Sequence, residues 1–188
     1  MLLKKVSGLM AVFPFVVVFL SSLFHPTDPD LGWHLKYGEY FFQNGKVLKE
    51  NIFSTQMPDY QWVNSSWLTD LISYFAFNNF GFIGISILGA FVLTLTFYFF
   101  SKAAKLDYFD QSIIFPVLLI LLAPINSVSF KGQMLSLLFT GILVFVLKLF
   151  EEGRRKWIFS LIPLFLVWSN LHGQFILGLV VLAISSVL

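Results

Sequence analysis

Long apolar runs set the strictest limit on what this chain can become. One covers about residues 6–24, and after residue 82 others cover about 82–100, 112–127, 134–150, 157–171 and 175–188, parted only by short polar breaks. In hydrocarbon the chain must satisfy every backbone N–H and C=O by itself, so such runs read as helices. Charged residues are 12% of the 188 positions, against roughly 25% in a soluble domain. The expected fold is therefore all-α, a polytopic transmembrane helical bundle forming one domain over 1–188. The run 112–127 is short for a perpendicular span of ~20 residues. It is expected either to extend through Ser127 or to re-enter the bundle.

The first run holds Pro14 and lacks a small-x-small cleavage site before His25, so it reads as a retained span rather than a signal peptide. Lys4, Lys5, Lys102, Lys105, Lys148, Arg154, Arg155 and Lys156 fall on one side of the implied topology, and Lys36, Lys46, Lys49 and Lys131 on the other. Eight cations against four place the N-terminus in the cytoplasm and the 25–79 loop outside. Without cysteine the chain has no disulfide, thiolate nucleophile or cysteine metal site. The scattered basic residues form no nucleic-acid patch, and the expected partner is the lipid bilayer. Because the last run is still apolar at Leu188, the chain is expected to be the N-terminal part of a longer protein.

The external loop carries the polar chemistry. It opens with His25–Pro–Thr–Asp28–Pro–Asp30 and continues through Trp33 and His34. Asp30, His34 and Gly38 recur every four residues and so share one helix face. Trp33, Tyr37, Tyr40 and Phe41 form a neighbouring aromatic stripe, suited to an interfacial helix. Gly45 is expected to end that helix, Asn51–Thr55 to be extended, and Pro58–Asp59 to turn. A second aromatic helix is expected from Trp62 to about Asn79, with Trp67, Leu71, Tyr74, Phe75 and Asn78 on one face. Phe80–Gly81 should break it.

Two carboxylates as close as Asp28 and Asp30 can bind a divalent cation (Mg²⁺ or Mn²⁺) or a sugar hydroxyl, or one can act as a general base. As plain structure they are a turn and a helix cap. Lys131 suits a phosphate as a point charge, or is a lone interface anchor. Trp168–Ser–Asn170–Leu–His172–Gly173 places polar groups at a membrane edge, where they are costly and mark candidate sites, or merely kink a helix connection. All three polar clusters are expected on the outer face.

These residues resemble a family. Asp28–Pro–Asp30–Leu–Gly–Trp33–His34, Gly38, Gly45, Phe53–Ser–Thr55, Trp62–Val and Trp67–Leu look like the first external loop of bacterial GT-C-type membrane glycosyltransferases, and Trp168–Ser–Asn170–Leu–His172–Gly173 resembles a second signature of that group. A more distant likeness links the loop to oligosaccharyltransferase catalytic subunits, in a register set by Asn44–Gly45. That resemblance implies Asp30 as the catalytic loop aspartate and Lys36 at an arginine position. Two departures stand out. Ser65–Ser66 replace a His–Glu pair, and Lys131–Gly–Gln133 replaces Arg–Pro–Gln, which keeps a cation but loses the bidentate fork.

The resemblance implies transfer of a sugar from a polyprenyl-phosphate-linked donor to a glycan, lipid or protein acceptor at the outer face of a bacterial plasma membrane. Asp30 is then the expected base, with Asp28 as its alternative or as a metal or hydroxyl ligand. His34, Lys36, Lys131, Gln133, Asn170 and His172 are the expected substrate-binding residues, Lys131 and His172 toward phosphate. The rival readings are a non-catalytic lipid-linked-glycan transporter or scaffold, and an O-antigen polymerase or ligase, whose long loop normally comes later in the chain.

Overall fold

The computed structural model describes residues 2–57, 60–61 and 63–186, with side chains from residue 10 onward. The expected Pro58–Asp59 turn, Trp62, and the last two residues of the final run lie outside the described residues. The described chain is helical, and its single β-bridge pairs Glu50 with Gln61. In order come α1 (Leu2–Ser21), α2 (Leu31–Asn44), α3 (Trp67–Ala104), α4 (Tyr108–Leu121), α5 (Ala123–Asn126) and α6 (Gly132–Glu151). A 3₁₀ turn (Arg155–Ser160), α7 (Leu161–Leu171) and α8 (Phe175–Ser185) follow. By length and composition α3 and α6 are long and apolar enough to cross a membrane.

Glycine shapes the two elements nearest the polar loop. Gly45 sits in the left-handed region (φ 66°, ψ 18°) and its N–H caps the Phe41 carbonyl, ending α2 where the sequence placed the end. Gly81 (φ 61°, ψ −152°) interrupts α3 in a region of backbone space open essentially to glycine alone. The Phe80–Gly81 break is therefore a kink inside one continuous element. The N-terminal half of α3 starts at Trp67 rather than Trp62. The Asn64 side chain accepts from the Ser66 N–H at 3.0 Å, and this local turn competes with helix through residues 64–66.

Central to the bundle are α3 and α6. Beyond the kink they run parallel, with Gly89 of α3 against the Ser129 backbone just before α6 and Lys105 bonded to Glu152 at 2.6 Å just after both helices. Ile85, Leu93, Phe97, Met134, Leu135 and Leu138 are buried between them. On one flank α1 packs on α3 and α4; on the other, α7 and α8 pack on α6 around buried Trp168. The outward faces of α1, α4, α7 and α8 carry exposed Val, Leu, Ile and Phe.

The run at 112–127 is not one helix. Asp107 and Asp110 start α4 with a reciprocal capping box, and it stops at Leu121 because Pro124 has no N–H to continue the ladder. The chain then turns inward through α5, burying Asn126 and Ser129. α7 has 11 residues, about 16 Å at 1.5 Å per residue. The preceding six-residue 3₁₀ turn adds roughly 12 Å at 2.0 Å per residue, so together they approach the ~30 Å of a hydrocarbon core.

Candidate functional site

At the end of the bundle where α6 begins, α2, described loop residues from Asn51 to Ser66 and the start of α3 line a partly open cavity of about 640 Å³. Its wall includes Asp30, Trp33, His34, Tyr37, Asn64 and Asp70. α2 is the positioning element. Its Asp30–His34–Gly38 face turns toward α3, as the four-residue spacing predicts. A side chain at Gly38 would collide with the Asp70 carbonyl and the Tyr74 Cβ, so glycine here sets how closely the helices approach. One turn earlier, His34 reaches Asp70.

That contact is the electrostatic centre of the site. Asp70 has only 3% of its side chain exposed, and its Oδ1 lies 2.5 Å from His34 Nδ1. Its Oδ2 accepts from Asn64 Nδ2 at 2.5 Å. A protonated His34 Nδ1 is the donor that an ionised carboxylate, which only accepts, would call for at this contact. Burial works against a charged His34, but the Asp70 hydrogen bond and charge, joined by Asp28 and Asp30, raise it above its ordinary value. Neither Asp70 nor Asn64 is among the residues expected from the sequence. The available signal was a lone acid four residues before Tyr74 in an otherwise apolar helix; a buried charge demands a partner.

The two loop aspartates have different environments. Asp28 is buried, accepts from Lys131 Nζ at 3.0 Å and from the Asp30 N–H at 3.2 Å. Asp30 precedes α2 but makes no side-chain cap. It is exposed and lines the cavity. Nearby, Trp33 and Tyr37 stack at 6.4 Å, while Phe41 stacks on Trp67 at 6.2 Å. Part of the aromatic stripe on α2 thus packs inward.

The second and third polar clusters converge on the same end. Lys131 meets Asp28 across 103 positions of sequence. Trp67 Nε1 donates to Asn170 Oδ1 at 2.7 Å, and Thr69 Oγ1 donates to the Leu171 carbonyl at 2.6 Å. The Asn170 amide also donates to the Leu166 carbonyl, so Asn170 ties α3 to α7. Trp168 Nε1 donates to Ser136 Oγ at 3.1 Å, and Ser136 Oγ in turn lies 3.0 Å from His172 Nδ1. Burial, then the charges of His34 and Lys131, lower His172 below its ordinary value, and its ring rests on Gly132.

Other expected residues stand apart from the cavity wall. Lys36 pairs with Glu39 at 2.7 Å on the outer side of α2, and Gln133 is half-buried in the first turn of α6. His25 is exposed, its ring 5.6 Å from that of Phe82. Among the described residues no group of three or more His, Asp or Glu is placed to hold a metal ion. No family model, curated protein or solved structure matches the chain.

Proposed function

We propose that the chain is a GT-C-like membrane glycosyltransferase, a polytopic bundle that moves a sugar from a polyprenyl-phosphate-linked donor to an acceptor at the outer face of a bacterial plasma membrane. The observation that carries this reading is the exposed carboxylate of Asp30, which makes no side-chain cap, in an aromatic-walled cavity at one end of an apolar helical bundle. Donors of this kind present a lipid tail to the bilayer and a sugar phosphate to the interface, and the cavity sits where the apolar surface gives way to polar side chains. Lys105, Lys148 and Arg154–Lys156 lie at the opposite end of α6, which suits a cytoplasmic face there and an external cavity.

An inverting transfer forms a bond from an acceptor oxygen to the sugar carbon and breaks the bond from that carbon to phosphate oxygen. The acceptor hydroxyl proton goes to a base, and of the two described carboxylates in the cavity wall Asp70 is bonded to His34 and Asn64, which leaves Asp30 for that role. Lys131 holds Asp28 in place, so a divalent cation shared by Asp28 and Asp30 would compete with that lysine. The test is sugar transfer in membranes of cells making the protein, with a radiolabelled polyprenyl-phosphate sugar as donor. Label should leave the lipid with the native protein and stay with Asp30→Asn. Equal transfer by both would remove the reading.

A further inference from the structure

A leaving phosphate needs a donor that stabilises its negative charge, and the expected cations have other partners. Lys131 is bonded to Asp28, Lys36 to Glu39, and neither lines the cavity. His172 is hydrogen-bonded to Ser136 through Nδ1 and is not among the residues of the cavity wall. Among the described residues, His34 is the one basic side chain in the cavity wall. Its side chain is 26% exposed, and Nδ1 is the nitrogen bonded to Asp70.

We propose that His34 is the phosphate-binding donor of this cavity and that Asp70, steadied by Asn64, is its positioning residue. Asp70 takes the Nδ1–H, which fixes the ring plane and leaves Nε2–H as the group offered to a phosphate oxygen. Charge-assisted N–H donors of this kind are about twice as strong as neutral ones. Asn64 matters because it occupies the second Asp70 oxygen, so the carboxylate cannot swing away from the imidazole. The groups facing His34 are Asp70 from α3, Asp28 and Asp30 from the loop before α2, and His172 from the α7–α8 link with Lys131 behind it. Two of those three carboxylates are matched, Asp28 by Lys131 and Asp70 by His34 and Asn64. Asp30 alone retains an unmatched charge, consistent with a base working opposite a donor. The choice of a phosphate ester as ligand rests on the transferase reading; the geometry of the His34–Asp70–Asn64 unit does not.

The test uses the full chain, labelled with ¹⁵N-histidine in detergent micelles, titrated with geranyl phosphate and separately with inorganic phosphate. Geranyl phosphate should move the His34 Nε2 resonance, assigned by its loss in His34→Gln. Affinity should fall at least about tenfold in His34→Gln, the scale of one lost charged hydrogen bond, and recover in His34→Arg. Asp70→Asn should shift the Nδ1–H resonance and weaken binding while the thermal midpoint shows that the chain is folded. Asp70→Glu should recover part of the affinity, which a purely structural role would not require. Binding of inorganic phosphate as tight as that of geranyl phosphate supports His34 as the donor but removes the lipid carrier from the transferase reading. Unchanged affinity in both His34→Gln and Asp70→Asn overturns the assignment. So does an absence of phosphate binding to the native chain, or a response confined to His172.

Discussion

Gly38 of α2 rests on the backbone carbonyl of Asp70 in α3, with no room for a side chain between them. The same acid that receives His34 on its carboxylate therefore receives α2 on its main chain. Position 38 controls the distance across which the His34–Asp70 bond is made, although it has no side chain to contribute to it.

Substituting Gly38 should be costly in a way that other glycines of α2 are not. Gly38→Val must push the helices apart, and overpacking of this kind costs about 1–3 kcal/mol. Gly32 has open space around its Cβ position, and Gly32→Ala should be neutral or stabilising by about 0.4–1 kcal/mol. Thermal unfolding of the two variants in detergent checks the contrast. Equal midpoints would show that the close approach carries no weight.

The Asp28–Lys131 pair gives a second test. Asp28 has 1% of its side chain exposed and Lys131 25%, so removing the lysine strands a buried charge. Lys131→Met should destabilise by about 3–5 kcal/mol, the usual result of breaking a buried pair from one side. Asp28→Asn combined with Lys131→Met should recover much of that. Additive losses in the double variant would mean that the two residues do not interact.

How much of this could be read from the sequence differs from one position to the next. The end of α2 at Gly45, the break at Gly81 and the shared face of Asp30, His34 and Gly38 follow from local rules, because each depends on backbone conformation or helix period. The meeting of the Asp28 loop with Lys131 and the Asn170–His172 turn follows from topology once the runs are helices. Asp70 is not legible in this way, because the Trp67, Leu71, Tyr74 stripe lies on a neighbouring face, whereas Thr69, Asp70, Ser73 and Ala76 are buried. The inward turn at 122–130 depends on what α3 offers opposite it, and a single-sequence pattern holds no record of that.

Stability should depend on pH through His34. Its folded value is raised, so its contribution is complete below the unfolded value of about 6.5 and is lost as pH rises through the higher folded value. The thermal midpoint of the native chain should therefore fall above neutrality, and His34→Gln should fall less. His172 shifts in the opposite sense, partly through the charge of His34 itself, so the comparison is made with His172→Gln in both proteins and the difference between the curves then reports His34. Parallel curves would contradict the charge assignment.

The catalytic reading separates the two aspartates by phenotype. Asp30→Asn should lower sugar transfer by about a hundredfold, the lower range for loss of a general base, and leave stability nearly unchanged because the carboxylate is exposed and caps nothing. Asp28→Asn should lower the thermal midpoint. Full transfer by Asp30→Asn together with an inactive but stable Asp28→Asn would move the base to Asp28.

Orientation is tested with single cysteines in this cysteine-free chain. Thr55→Cys beside the cavity should react with a membrane-impermeant maleimide in intact cells, and Lys156→Cys beyond α6 should react only after permeabilisation. Both positions are exposed, so access to the reagent, not burial, decides the result. Labelling of position 156 in intact cells would invert the topology.

The bonds from Trp67 to Asn170 and from Thr69 to Leu171 join positions 103 and 102 residues apart. Closing a loop of that length costs on the order of 4 kcal/mol by the logarithmic chain-length dependence alone. A ribosome adding about 5–20 residues per second leaves α2 and the start of α3 waiting for several seconds before their partner in α7 exists. During that interval the wall of the cavity has no anchor on the α7 side. The site is thus a late product of synthesis, and a nascent chain arrested before residue 170 would carry Asp30, His34 and Asp70 without the brace that joins their helices to the rest of the bundle.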